Sequence, residues 1–218
     1  MTISLSYDEK IAILDLGDSE NRFSPEFLDD INARLDDVEA SGAHGLVTTA
    51  VGKFYTNGLD LDWLVAHGDQ TQWYVGRVHA LLARMLTLPI PTAAAVVGHA
   101  FGAGAMLAIA HDFRVMRADR GFFCFPEVDI NIPFTEGMAA LIQAKLTPQA
   151  AVASMTTGRR FGGSDAAAAG IVDATAGEGA VTAAALDVLR PLGSKNPGTL
   201  GAIKQTMFAP AVQALTAQ

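Results

Sequence analysis

Gly98-His99-Ala100-Phe101-Gly102-Ala103-Gly104 is the stretch on which the reading of this chain turns. It follows an apolar run at 92–97 with the character of a buried strand and opens a run at 105–111 with that of a helix. A glycine-rich turn between a strand and a helix leaves backbone N–H groups free at the positive end of the helix dipole, where negative charge is favoured. Two uses of such a turn differ in what else they require. A dinucleotide fingerprint needs a third glycine, where Leu107 stands, and an acidic residue suitably placed on a following strand end, which the chain does not offer. An oxyanion hole needs a second free N–H directed at the same oxygen.

A second donor is available upstream. The run at 45–50 reads as a buried strand that delivers the chain into a polar loop at 52–58, and Tyr55-Thr56-Asn57-Gly58-Leu59-Asp60-Leu61 then turns toward a helix. A glycine turn in that setting presents the N–H of Leu59. Around these two loops the pattern alternates. Residues 3–7 and 10–16 read as an opening hairpin across Asp8-Glu9, and Ser24 with Pro25 starts a helix whose apolar face is Phe27, Leu28, Ile31, Leu35 and Val38, ending at Gly42. A further helix through Val75, Val78, Leu81, Leu82 and Met85 stops before Pro89 and Pro91. Short strands follow at 113–116 and 121–125, then a helix through Met138, Leu141 and Ile142, Ala-rich helices at 148–156 and 164–169, and helices over 178–218 broken at Pro191 and Pro197. No linker or repeat interrupts this α/β order, so residues 1–190 are expected to form the core and 191–218 a helical region without independent folding.

Composition narrows the function classes. Of 218 residues, 50% are hydrophobic and 17% charged, which suits doubly covered α/β elements and excludes a disordered chain. A net charge of −8 without a Lys/Arg run argues against nucleic acid as a partner. The single cysteine, Cys124, forms no internal disulfide and reads as a small buried residue in a reducing compartment. The first residues lack a secretory pattern and no apolar run reaches the roughly 20 residues that cross a bilayer, so a cytoplasmic protein without membrane association is expected. His99 and His111 fall on a turn and a helix without a carboxylate arrangement that demands a metal, and none is expected.

Five segments in order resemble the crotonase (enoyl-CoA hydratase/isomerase) superfamily. Residues 52–61 are similar to its "F-S-A-G-x-D-L" element and residues 98–107 to its "G-x-A-x-G-G-G-x-E-L" element. Asp112-Phe113-Arg114-Val115-Met116 resembles "D-x-R-[IV]", Phe123-Cys124-Phe125-Pro126-Glu127-Val128 resembles "F-x-x-P-E-[VI]", and residues 157–172 resemble "T-G-R-x-x-x-A-x-x-A-x-x-x-G-[LI]-V". The resemblance implies a ClpP-like α/β fold of stacked ββα units with a C-terminal helical trimerisation region. It also implies an acyl-CoA substrate, with coenzyme A part of the substrate and no separate cofactor, and a homotrimer or dimer of trimers. The oxyanion donors it implies are the backbone N–H groups of Leu59 and Ala103.

Hydratases of this family hold water between two glutamates; here the first position is Met106 and the second Glu127. One carboxylate suffices to remove a proton from C2 of a 3-enoyl-CoA and return it at C4. The resemblance therefore points to a Δ3,Δ2-enoyl-CoA isomerase, and Asn57-Gly58, Gly98-His99-Ala100, Arg120-Gly121 and Glu127-Val128-Asp129-Ile130 look similar to the plant-type monofunctional isomerases. The base is Glu127 or Glu136, the latter matching the base position of another isomerase branch. A Glu127 base needs an apolar pocket, for which Phe123, Phe125 and Met106 are at hand. Candidate coenzyme A contacts are Arg22, Lys53, Tyr55, Asn57, Gly58, Asp60 and Gly102, while helices around Trp63, Trp73 and Tyr74 are expected to shape the acyl pocket. Asp129 reads as a loop acceptor and Lys204 as a cation on the late helices. Two other functions keep the same fold: an enoyl-CoA hydratase, and an acyl-CoA binder without catalysis.

Overall fold

The computed structural model describes residues 3–217. Two strands open the chain, β1 (Ser4–Asp8) and β2 (Ile11–Asp15), joined as the expected antiparallel hairpin. Helix α1 (Pro25–Ala40) begins where the sequence placed it: the Ser24 side chain accepts from the Phe27 N–H, Pro25 occupies the first turn, and Phe27, Leu28, Ile31, Leu35 and Val38 are its buried face.

A unit of strand, short strand and helix then recurs three times. The first is β3 (Gly45–Thr49), β4 (Phe54–Thr56) and α2 (Leu61–Ala66), followed by the long α3 (Thr71–Thr87). The second is β5 (Thr92–Val96), β6 (His99–Phe101) and α4 (Ala103–Ala110). The third is β7 (Phe113–Arg117), β8 (Phe123–Cys124) and α5 (Glu136–Lys145). In each unit the longer strand joins a six-stranded sheet of order β1-β2-β3-β5-β7-β9, and the shorter one joins a parallel three-stranded sheet of order β4-β6-β8. This is the expected stacking of ββα units. The remaining elements are α6 (Pro148–Met155), α7 (Gly163–Ala168), β9 (Ala174–Ala176), α8 (Val181–Leu189), α9 (Pro197–Met207) and α10 (Ala209–Thr216).

Apart from the hairpin, the large sheet is parallel, and its central strands β3, β5 and β7 are buried on both faces. Alternation assigns each side chain. Val47, Ala93, Ala95 and Val115 face Val181, Ala185, Leu186 and Leu189 of α8, whereas Leu46, Ala94, Val96 and Met116 face the main core. That main core surrounds α4, whose eight residues are all buried, a helix apolar on every side because protein covers every side. Phe208, Ala211 and Leu215 bring α10 into the same core, and a Cβ at Gly137 would lie 2.7 Å from Leu215 Cα, so α10 packs directly on the start of α5.

Three strands differ from the sequence reading. β4 and β6 lie inside the two stretches read as loops, and β9 lies where none was expected. Each has three residues, too few for a period of two to register, and each exists because a neighbouring strand pairs with it.

Candidate active site

The two glycine-bearing turns meet at the ends of β4 and β6. Gly58 has φ +78, and a Cβ there would lie 2.6 Å from the Phe101 carbonyl oxygen and 3.0 Å from the Ala103 nitrogen. Only a residue without a side chain lets the backbones approach so closely. Gly102, at φ 52 and ψ −124, turns the chain from β6 into α4, leaving Ala103 as the first helical residue. The Ala103 N–H is thus one of the groups a helix leaves without an internal acceptor, at the positive end of its dipole. On the other loop, Phe23 and Leu59 form a parallel bridge in which the Phe23 N–H donates to Gly58 O at 2.8 Å. In such a bridge the polar groups flanking Leu59 face Phe23, so the Leu59 N–H faces the opposite way.

Between these turns lies a cleft of about 310 Å³ lined by Leu59, Gly102, Ala103, Asn57, Arg22 and Glu127, by apolar neighbours, and at its exposed rim by Asp62, which is paired with Arg22. Glu127 enters it from the turn after β8, which is closed by Asp129 N–H and Ile130 N–H to Pro126 O and by Ile132 N–H to Glu127 O. The Glu127 residue is 8% exposed and its Oε2 has no hydrogen-bond partner among the described residues. Burial pushes its carboxyl up to about 7, opposed in part by its own backbone N–H. A carboxylate of that acidity, beside two outward N–H groups in an apolar cleft, can take a proton from carbon and hold it for return.

Other predicted residues stand elsewhere. Glu136 is the exposed first residue of α5, beside the Thr135 cap, and does not line the cleft. Tyr55 is wholly buried, its hydroxyl 2.7 Å from Thr48 Oγ1, which in turn is 2.9 Å from His111 Nε2; its side chain belongs to the core and not to a ligand surface. Lys53 is exposed with its ammonium over the Phe54 ring, and only its carbonyl serves the fold by accepting from the His99 N–H. Asp60 caps α2 through the Trp63 N–H and shares with Arg22 a neighbouring hollow of about 460 Å³. Arg22 does reach the cleft, but its guanidinium is held by Glu20 at 2.5 Å and Asp62 at 2.6 Å. Trp63, Trp73 and Tyr74 pack on one another outside the cleft wall. Lys204 is no surface cation: it is buried, donating to Leu88 O, Ile90 O and Asp112.

The sequence reading missed the apolar wall. Leu61, Phe101, Pro126, Ile130 and Ile132 line the cleft. Ile130 and Ile132, alternating with Asp129 and Asn131 shortly after Glu127, were the available signal. Among the described residues no group of three or more His, Cys, Asp or Glu side chains is placed to share a metal ion, and no helix is long and apolar enough to cross a membrane.

The sequence profile described as Enoyl-CoA hydratase/isomerase matches residues 7–218. The chain belongs to the enoyl-CoA hydratase/isomerase family. Among its curated relatives, it is 38% identical over 170 residues to "Enoyl-CoA delta isomerase 2, peroxisomal" of Arabidopsis thaliana, covering 73% of this chain and 70% of that protein. It is 36% identical over 174 residues to "Enoyl-CoA delta isomerase 3" of the same plant, covering 75% and 72%. Its fold matches the crystal structure of a probable enoyl-CoA hydratase from Mycobacterium tuberculosis H37Rv with a TM-score of 0.92 at 26% identity, over 99% of this chain and 92% of that one. Within this enoyl-CoA hydratase/isomerase fold, the relatives' names cover both double-bond isomerisation and hydration.

Proposed function

We propose that the protein is a Δ3,Δ2-enoyl-CoA isomerase with Glu127 as its only carboxylate base. The observation that carries this reading is that Glu127 is the one buried carboxylate lining the cleft. Met106, at the position where the resemblance puts a hydratase's other glutamate, is apolar and fully buried behind the cleft wall and offers no second acid. Glu127 removes a C2 proton from a 3-enoyl-CoA. The electron pair moves into the thioester carbonyl, whose developing oxyanion accepts from the Leu59 and Ala103 N–H groups, each worth about 10²–10³ in rate in comparable sites. The dienolate then collapses, taking the proton back from Glu127 at C4, and the double bond ends between C2 and C3. No atom is gained or lost, and no cofactor is required, since coenzyme A arrives with the substrate.

Leu59, Phe101, Ile130 and Ile132 supply the apolar surface for the acyl group, and the names of the Arabidopsis relatives support isomerisation over hydration. The assembly is proposed to be a trimer or a dimer of trimers, measurable by light scattering. The deciding experiment gives the purified protein trans-3-hexenoyl-CoA and, separately, crotonyl-CoA. Rapid appearance of the 2-enoyl product with slow or no loss of the crotonyl absorbance is expected. Fast hydration of crotonyl-CoA, or ligand binding without turnover of either compound, overturns the isomerase reading.

A further inference from the structure

Tyr74 is a buried phenol that the reaction does not use, yet its hydroxyl sits inside the turn that presents the Leu59 N–H. In a parallel bridge the bond reciprocal to Phe23 N–H→Gly58 O runs from the residue after Leu59 to the Phe23 carbonyl. Here the Tyr74 hydroxyl serves both groups: the Asp60 N–H donates to it at 2.9 Å, and it donates to the Phe23 carbonyl at 2.7 Å. The ring is fully buried on α3 and stacked on Trp63 at 5.1 Å between centroids. Burial pushes the phenol up to about 12, so it keeps the proton it donates. Helix α3 also packs against α4, the helix that carries the other donor, Ala103. One rigid element therefore touches the supports of both N–H groups.

We propose that Tyr74 is a positioning residue: its hydroxyl spaces Asp60 from Phe23 and so sets the direction in which the Leu59 N–H meets the substrate carbonyl. It does not line the cleft and does not touch substrate. Without the hydroxyl, the Asp60 N–H and the Phe23 carbonyl close on each other or lose their partner. Either outcome turns the Leu59–Asp60 peptide and, through the Leu59 α-carbon, shifts the Gly58–Leu59 peptide that carries the Leu59 N–H and is otherwise held by Phe23 N–H→Gly58 O. The proposal rests on the acyl-thioester reading of the cleft, and its principal readout does not depend on turnover.

The test compares wild type, Tyr74→Phe and Ser154→Ala. Ser154 is a matched control, because its buried hydroxyl bonds only carbonyls of its own helix, Ala150 and Ala151. Difference infrared spectra of bound butyryl-CoA carrying ¹³C at the carbonyl report how strongly the donor pair polarises the thioester. Tyr74→Phe is expected to lose a substantial part of the red shift and to lower kcat on trans-3-hexenoyl-CoA about tenfold with KM changed less than about twofold, a displaced donor costing less than the 10²–10³ of a deleted one. Ser154→Ala should match wild type in both.

A folded Tyr74→Phe with the full red shift and full kcat overturns the proposal, as does an equal loss in Ser154→Ala. Should Tyr74→Phe fail to fold, the wild-type chain with 3-fluorotyrosine at its three tyrosines answers instead. Its Tyr74 ¹⁹F signal should shift with acetoacetyl-CoA, which carries an enolisable carbonyl, and stay still with a CoA thioether that lacks one; equal behaviour with both overturns the assignment. A wild type that polarises the butyryl carbonyl but leaves hexenoyl-CoA unchanged sinks the isomerase reading while the Tyr74 comparison still stands. A wild type with no red shift at all overturns the donor pair, and with it the role of Tyr74.

Discussion

Glu127 leaves room for no more than a methyl group beside Gly102: a Cβ built on Gly102 would sit 3.4 Å from Glu127 Oε1. The proposed base therefore stands beside the turn that frees the Ala103 N–H, although the 24 residues of chain between them run mostly through α4, β7 and β8. Gly102→Ala tests that proximity. The substitution places a side chain at φ 52, ψ −124 and crowds the carboxylate, so turnover should drop by about two orders of magnitude, with a stability loss of about 1–2 kcal/mol in thermal or urea unfolding. A variant with wild-type kcat would show that the turn is not part of the machinery.

The pH profile follows from the acidity of Glu127. A general base works in its ionised form, and with the carboxyl raised to about 7 that form is lost below neutrality. For the isomerisation, kcat/KM should rise about tenfold per pH unit up to near 7 and level above it. A profile already flat from pH 5 upward would mean that another group, of ordinary carboxylate acidity, is the base.

Glu127→Gln and Glu136→Gln separate the two carboxylates proposed from the sequence. The first should abolish isomerisation to at least about 10³ below wild type, and the second should stay within about twofold, since Glu136 is exposed at the start of α5. Stability moves in the opposite sense. Because burial raises the native pKa of Glu127 above its unfolded value of 4.5, the native state binds more protons between pH 4.5 and about 7, and wild-type stability falls as pH rises through that window. Glu127→Gln lacks that titration and should exceed wild type by roughly 2–4 kcal/mol above pH 7, while the two converge near pH 4. Denaturant unfolding at both pH values reads the difference.

Lys204 should matter for folding and not for chemistry. Its ammonium ties α9 to the Leu88 and Ile90 carbonyls and to Asp112, which also accepts from the Thr92 N–H. Lys204→Met leaves those acceptors short of a donor in a buried place, at a cost of about 3–5 kcal/mol in unfolding free energy. In the folded fraction, kcat on trans-3-hexenoyl-CoA should be unchanged, because Lys204 does not line the cleft. A selective loss of kcat without loss of stability would contradict this placement.

Much of the fold was legible because it is written in local terms. Ser24-Pro25 caps and starts α1 with bonds to residues three positions away, and the apolar spacing from Phe27 to Val38 follows the helical period. The two glycine turns were found for the same reason: a positive φ at Gly58 and Gly102 demands glycine wherever the chain goes next. β4, β6 and β9 escaped because three residues have no measurable period, and their strand character comes from partners distant in sequence.

The sequence by itself pointed to the family and offered two candidate donor loops and Glu127 as one of two candidate bases, since each rests on residue types at short spacing. Tertiary structure alone separated the environments of the two carboxylates, which is why Glu127 is the one proposed as base: Glu127 is desolvated in the cleft, whereas Glu136 is exposed outside it. It also moved Tyr55 into the core, neutralised Arg22 with Glu20 and Asp62, and set the Tyr74 hydroxyl against Phe23, 51 residues away. Burial, charge pairing and the direction of a side chain are properties of what folds around a residue, and spacing along the chain does not carry them.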